Sequence, residues 1–305
     1  MPQMRTVTVV GSITKDFIWR QGERIRTSLG GLLYNTIALG ALMPDAAIVP
    51  AANVGRDIFD DVAKLLSHFP NVSLEGIRRV DKQNARCYLD FVSGTHFNDG
   101  SIVPVTLADL EKFLNADIVM LTFPTGLEMT LRNLKSIKRR AKCPLYVDYH
   151  MLAHGGKQAS TRFGQRRRDW AGWILVADFI QFNQFEAGHL FGRPIETRSD
   201  ALSFGHELVK KRTKAIVITC GEKGSFVVQP KDGELSCDHI PSVKCTTIVD
   251  TLGSGDVYSA GFIAQYLRSS DAVAAAHFAS KAASQRCVAH GLTELFQVLR
   301  NSSDL

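Results

Sequence analysis

Asp250-Thr251-Leu252-Gly253-Ser254-Gly255-Asp256 decides how the rest of this chain is read. A β-rich run, Cys245-Thr246-Thr247-Ile248-Val249, precedes it. Val257-Tyr258-Ser259-Ala260-Gly261-Phe262-Ile263-Ala264 follows and reads as a buried helix. The expected unit is a strand, a tight glycine turn and a helix start. Gly253 and Gly255 allow the backbone to approach a ligand with no Cβ in the way. The first amides of a helix lack internal partners and lie at the positive end of its dipole. Together they form a cradle for an anion, most naturally a phosphate. Asp256 stands at that cradle, where a carboxylate can take a proton from a hydroxyl while amides hold phosphate oxygens. On a bare Gly-x-Gly alone, a helix cap by Ser254 or Asp256 is the better reading.

The chain of 305 residues is long enough for one large α/β domain with an ample core, or for two smaller ones. A 45% hydrophobic and 22% charged composition is that of an ordinary soluble globular protein. No apolar run is long enough to span a bilayer, and Met1 to Thr6 leads into a strand-like run with no secretion signal. The six cysteines are scattered and form no Cys-x-x-Cys pair. Reduced thiols in a cytoplasmic protein are therefore expected, rather than a disulfide framework or zinc site. A net charge of +6 suits the handling of polyanionic nucleotides.

Outward from the turn, the chain alternates. Thr6–Val10 reads as the first buried strand of a parallel sheet. Ala46–Pro50 reads as another, followed by a helix opening at Asn53-Val54-Gly55. Leu107–Asn115 and Glu128–Arg140 read as helices, and Asp117–Leu121, Leu145–Asp148, Phe179–Asn183 and Ala215–Thr219 as strands. Ala272–His290 reads as the final helix. Strands separated by helix-length segments imply right-handed crossovers and a parallel sheet covered on both faces. Ile77–Val80 and Ala85–Val92, with the segment around Phe17–Ile25, read as a small separate sheet.

Ligands in such folds sit beyond the carboxyl ends of the strands. Asp16 follows the first strand, and a carboxylate can accept two substrate hydroxyls. Gly30 and Gly31 lead into a helix bearing Asn35, whose amide can donate to and accept from a diol. Asp148 ends a strand and faces the ligand edge. Asn183-Gln184-Phe185-Glu186 ends another, and Glu186 could face phosphate through an intervening Mg²⁺ and its waters. Thr219, Gly221 and Gly224 form the next turn. His150 and His154 have helical spacing but no third ligand, so surface histidines are the better reading than a metal site. Lys138-Arg139-Arg140 and Arg166-Arg167-Arg168 read as solvated basic faces rather than a nucleic-acid surface.

Two stretches resemble the signatures of the ribokinase or PfkB-type carbohydrate kinases. Residues 250–256 resemble Asp-Thr-x-Gly-Ala-Gly-Asp, with Ser254 in the alanine position. Gly30, Gly31, Asn35 and Ala38 are in register with Gly-Gly-x-x-x-Asn-x-Ala. The resemblance spans Gly11 to Gly291. It implies a ribokinase-like α/β fold of three layers, a parallel sheet with helices on both faces. It further implies a single domain over 1–305, with a small β lid from about 14–29 and 75–104. It implies Asp256 as catalytic base, and amides of Gly253, Ser254 and Gly255 as anion hole. Acceptor contacts would come from Asp16, Gly30, Gly31 and Asn35, and nucleotide contacts from Asn183, Thr219, Gly221, Gly224 and Ser280. ATP would be the phosphoryl donor, with Mg²⁺ near Glu186, and the acceptor a small-molecule sugar or nucleoside. A monovalent cation and a homodimer through the lid are further expectations of the family. Leu32 stands where relatives acting on phosphorylated sugars often have Lys. Ser280 stands where many relatives have Asn.

Rival chemistries fit less well. A dinucleotide fingerprint would need a glycine at Tyr258, and a P-loop would need Ser or Thr where Gln158 follows Gly156-Lys157. A catalytically silent sugar- or nucleotide-binding regulatory module on the same fold remains the alternative.

Overall fold

The computed structural model describes residues 4–20, 23–90, 95–99, 102–154, 169–209, 212–245 and 247–302. The first half runs β1 (Thr6–Val10), β2 (Ile13–Arg20), β3 (Glu23–Gly31), α1 (Leu33–Leu42), β4 (Ala47–Gly55), α2 (Phe59–Leu66), β5 (Ile77–Val80), β6 (Arg86–Asp90) and β7 (Thr95–Asn98). Then come α3 (Leu107–Leu110), β8 (Ile118–Thr122), α4 (Leu131–Arg140), β9 (Leu145–Asp148), α5 (Trp170–Ile174), β10 (Phe179–Asn183) and α6 (Gln184–Phe191). The last part holds α7 (Arg198–Leu208), β11 (Ala215–Thr219), β12 (Ser225–Lys231), β13 (Glu234–Ile240), α8 (Ser254–Ser269), α9 (Ala272–Cys287) and α10 (Gly291–Asn301).

Nine strands form one sheet in the order β13-β12-β11-β10-β9-β8-β1-β4-β5. From β11 through β5 every pairing is parallel; β12 and β13 are antiparallel additions at one edge. The central strands are largely apolar and buried because helices cover both faces. All five residues of β8 are buried, as are all four of β9. Two apolar clusters result, one on each face. Ile37, Phe262 and Ala279 belong to one, and Phe123, Trp173 and Phe204 to the other. This is the expected ribokinase-like α/β architecture.

The four strands β3-β2-β6-β7 form a separate sheet, the lid. Its register places Ser28, Asp16, Cys87 and Asn98 in one row across the strands. The inner face carries Ile18, Cys87 and Leu89, which pack on Leu252 of the glycine turn. Side chains alternate between faces along a strand, so Asp16 shares the face of Ile18 and looks toward the same turn.

Four sequence expectations are corrected. Ile77–Val80 is not in the lid; it pairs in parallel with β4 at the edge of the large sheet. Residues 53–55 continue β4, and the following helix begins only at Phe59. The described residues between β13 and α8 form no strand, although Ile248 and Val249 are β-formers. Ile248 is 64% exposed and Val249 N–H donates to the Cys287 carbonyl on α9, so no sheet edge is available to them. The helix read as final ends at Cys287 and is followed by α10. Residues 166–168 lie outside the described residues. Lys138 pairs with Asp178 and Arg140 with Glu111. No described helix is long and apolar enough to cross a membrane.

Candidate active site

The parallel strands deliver Ser12, Asp148, Asn183 and Thr219 to a single edge, because each follows or ends a strand running the same way. Helix α8 sets its N-terminus over that edge. Gly253 caps it with φ +81°, a left-handed conformation that also removes a clash. A Cβ there would fall 2.5 Å from the Tyr34 ring of α1. Gln181 Nε2 of β10 donates to the Gly255 carbonyl at 2.9 Å, and Tyr146 donates to Gln181 Oε1 at 2.8 Å. Asn35 Nδ2 donates to the Asp256 carbonyl at 2.9 Å. The helix start is thus tied from two sides.

Within the turn, Asp250 Oδ1 accepts the Leu252 amide at 2.9 Å, and the Ser254 amide donates to the Thr251 carbonyl at 3.1 Å. Those two N–H groups shape the loop. The amides of Gly253 and Gly255 have no partner among the described residues, which leaves them for a ligand. The free donors are therefore a subset of those expected from the sequence.

Asp16, Gly30 and Asn35 are the residues expected on the acceptor side. Asp16 is 3% exposed and its Oδ1 has no hydrogen-bond partner. Burial pushes its carboxyl up to about 6, against the opposing pull of Thr14 and Arg26. Its other oxygen explains Gly30: a Cβ at that position would lie 1.9 Å from Asp16 Oδ2. Asn35 is fully buried and its Oδ1 is also unpartnered. A buried polar atom without a partner costs about 1–3 kcal/mol, and both of these residues act on Asp256, Asn35 by hydrogen bond and Asp16 by charge.

Asp256 is partly buried, and burial with the nearby Asp16 charge pushes it up to about 7, opposed by Arg286 and Asn35. Behind it lie two further buried acids. Glu186 is pushed up to about 8 by burial and the Asp256 charge. Asp148 rises for the same reason, with Asp256 and Glu186 both adding to burial. Three acids repelling one another are the kind of charge set that a divalent cation would relieve. No described group of three ligands could hold a metal ion by itself. Both Glu186 oxygens accept from Asn183, whose own Oδ1 accepts the Phe185 and Glu186 amides in a capping box. His150 Nδ1 stands 3.7 Å from Glu186 Oε1.

On the far side of the turn opens a cavity of about 930 Å³. Ser254 and Gly255 form part of its wall, and Thr219, Gly221, Gly224 and Ser280 line it. Its apolar wall includes Val243, Ile248 and Ala283, and Lys223 and Lys244 supply positive charge. Asn183 is not among the lining residues; its side chain is committed to the α6 cap.

Sequence reasoning missed Arg26, Arg286 and Glu128. Arg286 is 0% exposed and binds Asp250 Oδ2 at 2.8 Å. Arg26, from the lid, binds the same oxygen at 2.6 Å. Glu128 is buried beside Ser12, which donates to its Oε1 at 2.8 Å, while its Oε2 is unpartnered. Burial raises it above the usual carboxylate range. Arg286 and Lys281 are both long cations on the Ala- and Ser-rich 272–287 helix, and only the fold shows that Arg286 is the buried one.

A parallel sheet with a β lid, a helix start with free amides and an acid at its mouth define a class: a ribokinase-like phosphotransferase with an alcohol acceptor. The model of the pfkB family carbohydrate kinases matches residues 122–297, more than half of the chain. The chain belongs to the pfkB family of carbohydrate kinases. Over 289 residues it is 25% identical to a deoxyribokinase of Salmonella typhi, covering 88% of each chain. It is 36% identical over 76 residues to a nucleoside kinase of Methanocaldococcus jannaschii, covering 25% of this chain and 24% of the relative. The ribokinase of Arabidopsis thaliana complexed with ribose and ATP superposes with a TM-score of 0.71 at 21% identity, covering 98% of this chain and 100% of the other.

Proposed function

We propose that the protein transfers the γ-phosphoryl group of ATP to a hydroxyl of a sugar or nucleoside. The observation that carries this reading is the position of one turn between two different environments. Ser254 and Gly255 line the large cavity, while Asp256, on the first turn of the same helix, is close enough to Asp16 to feel its charge. Donor and acceptor would therefore meet at the N-terminus of α8.

On this reading the acceptor is held by Asp16 and Asn35, whose unpartnered oxygens accept its hydroxyl protons. Gly30 and Gly31 bring it against bare backbone. Asp256, ionised and near neutrality in its proton affinity, takes the proton of the attacking hydroxyl. The free Gly253 and Gly255 amides stabilise charge on the moving phosphoryl group, with Ser254 holding the loop shape between them. The lid excludes water, which would compete as acceptor. Thr219, Gly221, Gly224 and Ser280 contact the nucleotide, and Asn183 acts by fixing Glu186. Mg²⁺, when bound, would neutralise donor oxygens; Glu186 and Asp148 would hold it through water.

A donor with a base, rather than bare pyrophosphate, is favoured by the cavity's volume and its apolar wall at Val243, Ile248 and Ala283. The named activities of the deoxyribokinase and nucleoside kinase relatives support pentoses and nucleosides as the first acceptors to test. The experiment is a panel of free pentoses, hexoses and nucleosides in an ATP-consumption assay with Mg²⁺. Turnover of at least one pentose or nucleoside is expected. Tight nucleotide binding with no turnover on any acceptor would replace this reading by the regulatory-module alternative.

A further inference from the structure

Asp250 opens the anion-binding turn, and its oxygens are all engaged. Oδ1 accepts the Leu252 amide, and Oδ2 accepts Nη2 of both Arg26 and Arg286, at 2.6 and 2.8 Å. Two guanidiniums meet one carboxylate, so the cluster carries a positive charge in excess. Arginine stays protonated in proteins, so this charge is permanent. Isolated buried charge is costly and calls for a compensating group. Arg286 finds no second carboxylate by hydrogen bond among the described residues. Its Nη1 donates to the Ala289 carbonyl at 2.8 Å, and its Nε is unpartnered. Its guanidinium lies 5.2 Å from the centroid of Tyr34. That is the same ring against which Gly253 packs so closely that no Cβ fits. The two guanidiniums thus stand beside the cradle, where Arg26 also acts on Asp16 and Arg286 on Asp256.

We propose that Arg286 is this enzyme's resident cation: with Arg26, it supplies the fixed positive charge beside the Gly253–Gly255 turn, in place of a dissociable monovalent cation. The purpose assigned to that charge rests on the phosphoryl-transfer reading; its location does not. A monovalent cation binds through oxygens, and the carboxylate that opens this turn has spent both of its own on three N–H donors. An alkali ion arriving there would also face two guanidiniums of like charge. The monovalent cation expected from the family therefore does not fit this site. A guanidinium locked by an ion pair, a carbonyl and an aromatic face needs no reorganisation when phosphate charge arrives. Arg26 comes from lid strand β3, so the full positive charge is assembled only with the lid in place.

The test uses the full chain and calorimetric binding of a non-hydrolysable ATP analogue with Mg²⁺. Titrations in tetramethylammonium chloride and in potassium chloride at equal ionic strength should give dissociation constants within about twofold. Tightening by potassium of about fivefold or more would overturn the proposal. Arg286→Gln should weaken the analogue by about tenfold or more, and Arg286→Lys should recover most of that loss because the charge returns. Unchanged affinity in a folded Arg286→Gln protein would also overturn it. Should that variant not fold, the potassium comparison on the wild type still decides. Failure of every acceptor to turn over would sink the kinase reading while leaving these binding measurements intact, so the two can be told apart.

Discussion

Replacing Asp256 by asparagine separates two consequences of one buried charge. The amide keeps the side chain's size but cannot accept the proton of an attacking hydroxyl. General-base assistance contributes about 10²–10⁴ in rate, so turnover should fall by that factor. Stability should move the other way. The Asp256 carboxyl is held at about 7 in the folded protein against an ordinary 3.8. At about 1.4 kcal/mol for each tenfold change in proton affinity, full ionisation destabilises the fold by about 4 kcal/mol. Asp256 retains some solvent contact, so about 2 kcal/mol is the better expectation after screening. The sign follows from linkage: the folded state binds this proton more tightly than the unfolded state. The cost is absent below about pH 4, grows as pH rises, and is complete above about pH 7. Asp256→Asn should therefore melt a few degrees above the wild type at pH 8, with a smaller gain at pH 5. Scanning calorimetry without ligands at both pH values, paired with a steady-state assay, measures both effects. Activity within a few fold of wild type would refute the base assignment. An equal melting temperature at pH 8 would refute the claim that this acid is held ionised at a cost.

Three further outcomes follow from the same geometry. The value of kcat/KM should fall with decreasing pH below about 7 as Asp256 is protonated, and more steeply below about 6 as Asp16 follows; a flat profile from pH 5.5 to 8 contradicts both. Gly253→Ala should abolish nucleotide binding, since its Cβ meets Tyr34 at 2.5 Å; Gly192→Ala, with nearly the same φ but open space around it, should cost only about 1–2 kcal/mol in chemical denaturation and leave turnover intact. Ala283→Phe should fill the cavity wall and raise the KM for ATP about tenfold or more with little change in the acceptor KM, which steady-state kinetics at saturating partner would show.

Local chemistry made much of this protein legible in its sequence. Mostly apolar strands spaced by helix-length segments indicate a covered parallel sheet, and β8, β9, β10 and β11 stand where that pattern puts them. Gly253 is legible as a required glycine, since its φ of +81° and the Tyr34 ring leave no place for a side chain, whereas Gly255 has room for a Cβ. Asp16 could be read as an acid beyond the end of the first strand, Asn35 as a polar residue on the helix after a glycine pair, and Asp256 as an acid next to a glycine. Other features were not local. Ile77–Val80 has the same β propensity as a lid strand, and only pairing with β4 decided its sheet. Residues 247–249 have strand-forming side chains, yet the packing of α9 leaves them no edge to join. Which amides of the cradle are free depended on where Asp250 and Thr251 aim their oxygens. The Arg26–Asp250–Arg286 cluster joins residues 224 and 36 positions apart, from the lid, the turn and a helix. Periodicity and motif record what a residue does to its neighbours in the chain. The electrostatics of the site come from residues that meet only when the fold closes, and tertiary packing alone settled them.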